Sequence, residues 1–483
     1  MKVISAPEQL DEYSHDGGFT ELRPRKVVVA EEESDVLEAL EDARSAGVSL
    51  TPRASGTSIP GQAVGVGVVL LQSGRRVAVG PGPSVAADPG VLKVDLNDLL
   101  AKEGRWIPVD PASYKSCSIG GMVANNSAGA RTFKYRSTAD YVQEMRVVLP
   151  EEGLRVIAPM KLEDALGSQG STGQVARLIV ENLKAIEEDA PRVTKNSTGY
   201  RLEKVVRGDV FDLPKLFSGS EGTLGVMVEV RLSTIPRPPR RILLIFETGL
   251  AELDSIAADL RPLGASAIEL VDKKVFRQTG RESMVKRYSR TDQDYLVFCE
   301  FDGSGEDEMA HVVEKLSADP TLSGYEPLIL SDPSEVARAW DVRNETLNIA
   351  VEIKKGGRMP TAGIEDIVVP PSSLGMVVKL VREEFERRGL EYIMYGHAGD
   401  ANLHARPLLD PRSASDMHVL RDLMEDTFEA TWKMGGSMSG EHGDGRLRAS
   451  FVARQYRRSY EVMKRVKQIY DPKSLLNPGV KIV

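Results

Sequence analysis

TPRASGTSIPGQ, at residues 51–62, is the most informative segment of this 483-residue chain. It ends a predicted β-α-β unit, in which Val27–Ala30 and Val48–Pro52 are extended and Ser34 caps a helix that runs to Ala46. Because most of its residues are small, their main-chain N–H groups can converge on a diphosphate, and the hydroxyl groups add further donors. The spacing of its glycines matches neither the G-x-G-x-x-G fingerprint of dinucleotide-binding folds nor a Walker loop. Taken alone, the segment is equally compatible with an irregular surface loop.

Two further segments are dense in glycine and other small residues. DPASYKSCSIGGMVANNSAG covers residues 110–129, and GSEGTLG covers residues 219–225. Residues without bulky side chains let the main chain approach a flat ligand closely. Three such segments in one half of the chain therefore favour a cofactor site over three unrelated turns.

Composition excludes several classes of protein. No apolar run approaches the roughly 20 residues of a spanning helix, and Met1–Asp16 lacks the pattern of a secretory signal, so a cytoplasmic protein is expected. The net charge of −9 argues against a nucleic-acid partner, and the basic cluster Arg237–Arg241 is expected to be a solvated linker. The two cysteines, Cys117 and Cys299, cannot hold an iron–sulfur cluster by themselves, so any such cluster must lie on another chain.

The Pro/Arg stretch that begins at Thr234 marks the clearest domain boundary. Before it, residues 141–149 and 154–158 predict a strand hairpin, and Glu163–Gly173 is expected to be a flexible excursion. After it, predicted strands alternate with helices, which indicates an α+β lobe with helices on one face of an antiparallel sheet. The predicted strands are 241–247, 267–271 and 295–302, and the predicted helices are 250–263, 306–317, 370–388, 419–434 and 456–470.

Two short motifs hold half of the six histidines, YGHAGDANLH at residues 395–404 and GEHGDG at residues 440–445. His397 and His404 are seven residues apart, so both reach one point only if Gly396–Asp400 turns the chain. Two histidines and a carboxylate form a facial site for Zn²⁺, Mn²⁺ or Fe²⁺ with open positions for a substrate. The alternative is that these histidines only satisfy hydrogen bonds in a core.

The three glycine-rich segments together resemble the flavoproteins of the vanillyl-alcohol oxidase and para-cresol methylhydroxylase superfamily. The resemblance lies in P-R-x-x-G-T-S, S-I-G-G-x-V-A-N-N and G-S-E-G-T-L-G, and it extends to Leu476–Gly479. Within the superfamily the chain is similar to the FAD-linked D-2-hydroxy-acid dehydrogenases, namely D-lactate dehydrogenase, the glycolate oxidase flavin subunit and D-2-hydroxyglutarate dehydrogenase. The motifs at 195–200 and 439–445 look closest to members whose flavin domain works beside an iron–sulfur partner domain.

The resemblance implies an α+β protein with a two-lobed FAD-binding domain of para-cresol methylhydroxylase type at residues 1–236. It implies an antiparallel-sheet cap domain at 237–445 and a C-terminal helical segment at 446–483 that returns to the FAD domain. Some superfamily members bind FAD covalently through His or Cys, but Ala54 and Ser55 occupy that region here, so non-covalent FAD is expected. The implied FAD-binding residues are Pro52, Arg53, Ala54, Ser55, Gly56, Thr57, Ser58, Gln62, Pro111, Ser118, Gly120, Gly121, Ala124, Asn125, Asn126, Gly129, Glu221, Gly222, Leu224, Gly225 and Asn477.

The same resemblance assigns the chemical roles. It implies a divalent metal, with Zn, Mn and Fe as the candidates, bound by His397, His404 and Glu441, and it implies a general base at His442. A neutral histidine can accept the hydroxyl proton near pH 7, and a metal lowers the pKa of a coordinated hydroxyl. Arg343 matches the arginine that binds the substrate carboxylate, although the motif alone fits a solvated helical arginine equally well.

The expected reaction is FAD-dependent oxidation of a small D-2-hydroxy acid to the 2-oxo acid. D-Lactate is favoured over D-2-hydroxyglutarate or glycolate, because Leu347 stands where members with larger substrates carry a hydroxyl residue. Arg446 and Arg448 are the candidates that could reach a second carboxylate. Glu365 and Asp366 either orient the site or form a solvated pair.

Two other functions stay open at this stage. One is an oxidase that passes electrons to O₂, and the other is a flavin electron-transfer subunit of a larger iron–sulfur complex. A separate iron–sulfur subunit, an electron-transfer flavoprotein and a quinone are all possible acceptors. Membrane association is expected to be peripheral at most.

Overall fold

The computed structural model describes residues 2–80, 82–303, 314–315, 326–354 and 356–483, except the side chains of 347, 348, 350 and 351. The predicted helix 306–317 lies almost entirely outside the described residues, and so does the side chain of Leu347. Within the described ranges, no helix is both long and apolar enough to cross a membrane.

The first lobe is built on a four-stranded sheet. Its strand order is Lys2–Ile4, Lys26–Ala30, Val68–Gln72 and Leu50–Arg53, and the last three strands are mutually parallel. The predicted β-α-β unit is therefore present, with Val68–Gln72 inserted between its two strands. The 51–62 segment follows the strand Leu50–Arg53 and leaves the sheet at its carboxyl end, where ligands of such units bind.

The helix of this unit runs from Glu33 to Ser45, so the predicted cap at Ser34 is wrong. The cap is Glu32, because the Asp35 side chain returns to accept the N–H of Glu32 at 3.2 Å in a capping box. Gly47 follows the helix with φ +62°, a conformation that favours glycine.

The second lobe is a five-stranded antiparallel sheet with strand order Val77–Val79, Ser84–Ala87, Val226–Ser233, Val142–Leu149 and Gly153–Ile157. The predicted hairpin is confirmed, with Leu149 opposite Gly153 and Met145 opposite Ile157. The predicted flexible excursion is wrong, because Leu162–Gly167 and Gly170–Glu181 are helices. The second helix buries Val175, Ala176, Leu178 and Ile179 on one face, an apolar spacing that the glycines and serines before it obscure.

The cap domain contains an eight-stranded antiparallel sheet. Its strands, in order, are Leu328–Leu330, Arg240–Thr248, Tyr295–Gly303, Ala267–Asp272, Tyr392–His397, Asn402–Leu409 and Met359–Pro360, and Ile367–Val368 also pairs with Asn402–Leu409. Helices cover both faces, so the expected one-sided arrangement is wrong. Leu243 and Ile245 pack with the helix Pro333–Glu352, whereas Leu244 and Phe246 pack with the helices on the opposite face.

The C-terminal segment returns to the first lobe, as expected. Leu50 donates its N–H to the Leu475 carbonyl, and Asn477 donates its N–H to the Leu50 carbonyl, each at 2.8 Å. The boundaries at 236 and 445 stay predictions. The remaining helices are Pro7–Leu10, Lys93–Ala101, Ile119–Asn125, Thr132–Tyr135, Leu183–Asp189, Leu213–Phe217, Leu253–Leu260, Lys274–Gln278, Glu282–Val285, Leu374–Arg387, Ala414–Lys433 and Ala449–Tyr470, and the remaining strands are Arg105–Trp106, Pro159–Lys161, Val206–Arg207, Val210–Asp212 and Ile235–Pro236.

Candidate active site

A cavity of about 1700 Å³ lies between the FAD-binding half of the chain and the cap domain. Residues 110–116 and 129–131 line it from the first half. The helix Pro333–Glu352 and the cap sheet line it from the other side. At its inner end stand Arg343, Tyr395, His397, His404, Arg406, Glu441 and His442.

A hairpin brings the two histidines of the first motif together. The strand Tyr392–His397 ends in a short 3₁₀ turn at Ala398–Asp400, and the strand Asn402–Leu409 returns beside it. The ring centroids of His397 and His404 are 5.0 Å apart with the planes nearly perpendicular. The turn required by the seven-residue spacing is therefore present.

Glu441 lies at the centre of the histidine cluster. Its Oε1 atom is 3.2 Å from Nε2 of His397, 3.2 Å from Nε2 of His404 and 3.7 Å from Nε2 of His442. Its Oε2 atom accepts a hydrogen bond from the buried Nζ of Lys195 at 3.1 Å. Three imidazole nitrogens thus surround one carboxylate oxygen, the mixture of N and O donors that Zn²⁺, Mn²⁺ and Fe²⁺ accept.

The carboxylate of Asp366 also lies near the histidine cluster, but it is hydrogen-bonded to different groups. Ligand atoms of Asp366, His404, Glu441 and His442 all lie within 4.8 Å of one another. The Asp366 carboxylate accepts the N–H groups of Glu441 at 3.0 Å and His442 at 2.7 Å. Because main-chain donors occupy it, Asp366 fits a role in holding the loop, and His397 fits the metal better.

Hydrogen bonds fix the orientation of both hairpin histidines. Nδ1 of His397 is 2.7 Å from the Glu269 carboxylate, and Nδ1 of His404 is 2.6 Å from the carbonyl oxygen of Glu365. Each Nε2 is therefore directed at Glu441, as second partners orient metal ligands. Burial lowers the pKa of His397, but the Glu269 carboxylate outweighs it and raises that pKa to about 9. Burial lowers the pKa of His404 to about 4.

His442 faces the cavity on a firmly held loop. Its Nδ1 atom is 3.1 Å from the Glu365 carboxylate, and its ring stacks on His404 with centroids 5.1 Å apart. Gln62 donates to the His442 carbonyl at 2.9 Å. Because a carboxylate only accepts, Nδ1 donates to it, and Nε2 of the neutral ring is left to accept a proton.

Arg343 comes from the helix Pro333–Glu352 and is buried. Its Nε and Nη2 atoms donate to one oxygen of Glu269 at 2.8 Å and 2.5 Å. The guanidinium lies 5.5 Å from the ring centroid of Tyr395. Glu269 therefore holds one edge of Arg343 and leaves the other edge toward the cavity.

The glycine-rich segments meet along one seam. Gln62 donates to Asn125 at 3.0 Å, and the Asn477 amide donates to the carbonyls of Gln62 and Glu221 at 2.8 Å and 2.9 Å. A Cβ atom on Gly222 would lie 3.1 Å from the ring of Pro52. The segments separated by hundreds of residues in sequence thus form one site.

This seam fits FAD. The Oγ atom of Ser118 and the Oε1 atom of Gln62 are buried without a hydrogen-bond partner. Among the described residues, no oxygen accepts the main-chain N–H groups of residues 55–58. Buried polar atoms without a partner in the protein need a ligand or water, and the N–H groups of residues 55–58 lie at partly or fully exposed positions where a ligand can reach them. A diphosphate and a flavin ring match both kinds of group.

The side chains of several predicted FAD-binding residues are bonded within the protein, and their assignment to FAD stays a prediction. Arg53 donates to the carbonyls of His15 at 2.7 Å and Ala63 at 3.1 Å. Glu221 accepts the N–H groups of Asp444 and Gly445, each at 2.8 Å. Gly120, Asn126, Leu224 and Gly225 pack into the protein interior, Pro111 and Gly129 line the cavity, and Ala54, Ser55, Gly56, Thr57, Ser58, Gly121 and Ala124 lie along the seam.

Sequence reasoning missed Glu269, Lys195 and Arg406. Glu269 interrupts the apolar strand Ala267–Asp272, and a carboxylate in such a strand is a signal of a buried pair. Lys195 lies in a motif that carried the resemblance, but it had no assigned role. Arg406 follows His404 by two residues and therefore lies on the same face of the strand.

Four expectations on charged residues need correction. Glu365 and Asp366 are fully buried, so the solvated alternative is wrong. Arg448 is fully buried and paired with Glu365, and it does not line the cavity. Arg446, the other candidate for a second carboxylate, donates to the main-chain carbonyls of Val64 and Pro478. Arg241 lies 5.3 Å from the ring centroid of Trp106 and lines the cavity, so it is not part of a solvated linker.

Two domain families match the chain. The FAD binding domain matches residues 24–157, and the C-terminal domain of FAD linked oxidases matches residues 246–480. Glycolate oxidase subunit GlcD of Bacillus subtilis is 27% identical, over 99% of this chain and 94% of that protein. D-lactate dehydrogenase of Anaerostipes hadrus is 27% identical over the same shares of the two chains. D-2-hydroxyglutarate dehydrogenase of Escherichia coli is 27% identical over 96% of this chain, which spans about half (49%) of that relative.

Solved structures identify the fold. The crystal structure of p-cresol methylhydroxylase with substrate bound superposes with a TM-score of 0.72, covering 99% of this chain and 93% of that one at 13% identity. The expected para-cresol methylhydroxylase type of fold is therefore confirmed. The chain therefore carries a FAD binding domain at residues 24–157 and the C-terminal domain of FAD linked oxidases at residues 246–480, the two domains of an FAD-dependent oxidoreductase.

Proposed function

We propose that this chain catalyses the FAD-dependent oxidation of a D-2-hydroxy acid to the corresponding 2-oxo acid. In this reaction the C2 hydride and the hydroxyl proton leave the substrate, and the hydroxyl carbon becomes a carbonyl. FAD, when bound, supplies the hydride acceptor at N5. The names of the relatives support this reaction, because they act on glycolate, D-lactate or D-2-hydroxyglutarate.

The observation that carries the proposal is the setting of His442. Glu365 accepts from Nδ1 at 3.1 Å, and this bond stabilises the imidazolium that forms when Nε2 takes the hydroxyl proton. The ring is about one-fifth exposed and lines the cavity, so a substrate can reach it. His442 is the general base in this proposal.

Arg343 binds the substrate carboxylate in this proposal. Its guanidinium lines the cavity beside the histidines, and Glu269 holds its orientation from behind. A carboxylate on the remaining edge places the adjacent C2 carbon at the inner end of the cavity. Positioning of this kind lowers the entropic part of the barrier.

His397, His404 and Glu441 would hold a divalent metal. A metal bound there would act as a Lewis acid that lowers the pKa of the substrate hydroxyl. The two histidines offer Nε2 and Glu441 offers Oε1, while Lys195 keeps the other carboxylate oxygen engaged. Lys195 therefore restricts Glu441 to a single coordinating oxygen.

The reduced flavin must pass its electrons to an acceptor. Both cysteines are buried and free, so an iron–sulfur acceptor would belong to another polypeptide or to another part of a longer one. An electron-transfer flavoprotein, a quinone or O₂ would serve the same purpose. Stopped-flow oxidation of the reduced flavin by each acceptor distinguishes these routes.

Anaerobic bleaching of the flavin tests the reaction itself. The holoprotein is mixed with matched D- and L-isomers of 2-hydroxy acids, and absorbance near the flavin maximum is followed. We expect D-isomers to bleach the flavin and His442→Asn to slow bleaching while the flavin stays bound. The proposal fails if no 2-hydroxy acid bleaches the flavin, or if His442→Asn bleaches at the wild-type rate.

A further inference from the structure

We propose that Arg406 binds a second carboxylate of the substrate, so that the site is built for a dicarboxylic D-2-hydroxy acid. This inference rests on the proposed function and names the substrate class of the same site. It assigns a specificity-determining role to a residue two positions after His404.

Arg406 lies at the inner end of the cavity with the reacting groups. It pairs across the hairpin with Ile393, while His404 pairs with Tyr395, so all four side chains share one face of the sheet. Arg343 projects onto this face from the helix above it. The two guanidiniums therefore line one wall of one cavity.

The two arginines differ in how their charge is compensated. Arg343 is paired with Glu269 at 2.5 Å. In the described part of the chain, no carboxylate oxygen lies within 4.0 Å of Arg406, and its Nε atom is buried without a hydrogen-bond partner. A guanidinium stays charged, and a buried donor without a partner is costly. An anion that enters the cavity supplies the missing partner.

The positive charges of Arg343 and Arg406 both affect the phenol of Tyr395. Burial raises the pKa of its phenol, and the positive charges of Arg406 and Arg343 both oppose that rise. Both guanidiniums therefore lie near Tyr395, and that of Arg343 is 5.5 Å from its ring centroid. In the inferred complex, Arg343 holds the first carboxylate of the substrate, and Arg406 on the same cavity wall receives the second.

A different cation at the cavity wall is already neutralised. Arg131 is held by Asp110 at 2.6 Å and by Glu300 at 2.7 Å. Arg448, one of the two arginines named from the sequence for the second carboxylate, is paired with Glu365. Among the described cations beside the histidines, Arg406 is thus the one without a carboxylate oxygen within 4.0 Å, and this favours a dicarboxylate over the D-lactate expected from Leu347.

The test compares substrates on matched variants of the holoprotein. Anaerobic flavin reduction is measured with D-2-hydroxyglutarate, D-malate and D-lactate, on wild type, Arg406→Met, Arg406→Lys and Arg237→Met. Arg237 is an exposed arginine that lines the outer cavity, so its variant controls for loss of charge alone. Flavin content and circular dichroism confirm that each variant is folded.

We expect wild type to favour a dicarboxylate over D-lactate. Arg406→Met should lower the second-order rate constant for that dicarboxylate by about 10- to 100-fold and change D-lactate by less than about threefold. Arg406→Lys should retain part of the preference, because it keeps the charge without the planar fork. Arg237→Met should behave as wild type.

Three results would overturn the inference while leaving the proposed function intact. They are a wild-type preference for D-lactate, an unchanged preference in Arg406→Met, and an equal loss for mono- and dicarboxylates in that variant. The last result would assign Arg406 to the first carboxylate. If Arg406→Met does not hold flavin, the preference of Arg406→Lys and the relative binding of 2-oxoglutarate and pyruvate to wild type decide the question. Failure of the proposed function looks different, because then no 2-hydroxy acid reduces the wild-type flavin.

Discussion

Replacement of Arg448 by methionine should strongly destabilise the protein without changing its choice of substrate. Arg448 is fully buried, and it donates to the carbonyls of Gly363 at 3.0 Å and Gly443 at 2.7 Å as well as to Glu365. Methionine has similar length but no charge, so the buried Glu365 carboxylate loses the guanidinium that pairs with it. Removal of one member of a buried pair costs about 3 to 5 kcal/mol.

Urea unfolding of the holoprotein, followed by flavin fluorescence and circular dichroism, measures this cost. The double variant Glu365→Gln/Arg448→Met removes both charges, so it should be more stable than the sum of the two single losses predicts. Arg237→Met, at an exposed position, should unfold at the same urea concentration as the wild type.

If Arg448→Met lowers the free energy of unfolding by less than about 1 kcal/mol, this reasoning is refuted, because an exposed surface pair contributes that little. Strict additivity in the double variant would show that the two charges do not interact. A selective loss of activity toward D-2-hydroxyglutarate in Arg448→Met would restore this arginine as a substrate residue, contrary to its burial.

Three further outcomes test other parts of the site. Acid precipitation should release the flavin into the supernatant, because residues 53–58 contain neither His nor Cys; a yellow pellet would show a covalent bond. His397→Ala and Glu441→Ala should lose metal and turnover together while FAD stays bound, as measured by elemental analysis and absorbance, whereas His418→Ala, at an exposed histidine, should lose neither. Burial raises the pKa of Asp272 to about 6, so its stabilising contribution is present below pH 3.8 and is lost as the pH rises through 6. Asp272→Asn should therefore gain stability over wild type by on the order of 1 to 2 kcal/mol between pH 5 and pH 8, and a constant difference would contradict this.

The sequence predicted the parts of the fold whose signals are local. The seven-residue spacing of His397 and His404 required a turn, and the Gly and Asp residues between them supply it. The hairpin at residues 142–157 followed from β-branched runs on both sides of a glycine. In the helix Gly170–Glu181, by contrast, tertiary packing outweighs the low helix propensity of its first turn.

The charged partners of the site could not be predicted in the same way. Glu269 and Arg343 are 74 residues apart, and Glu365 and Arg448 are 83 residues apart. No local sequence pattern predicts which of the many carboxylates and guanidiniums will form ion pairs in the folded protein. Composition favours a solvated position for each one, because an unpaired charge rarely tolerates burial. Pairing removes that obstacle, and only the tertiary fold shows the pairs.

The two halves of the site share one hydrogen-bond network, and this explains why the motifs occur together. Asn125 of the FAD-binding half donates to the Glu441 carbonyl at 2.7 Å, and Gln62 donates to the carbonyl of His442 at 2.9 Å. The loop that carries Glu441 and His442 is therefore positioned by side chains of the glycine-rich seam. Because the hydroxyl proton and the C2 hydride must leave adjacent atoms of one substrate, their acceptors need a fixed separation. A single buried network that holds both acceptors meets this need better than two lobes that could move independently.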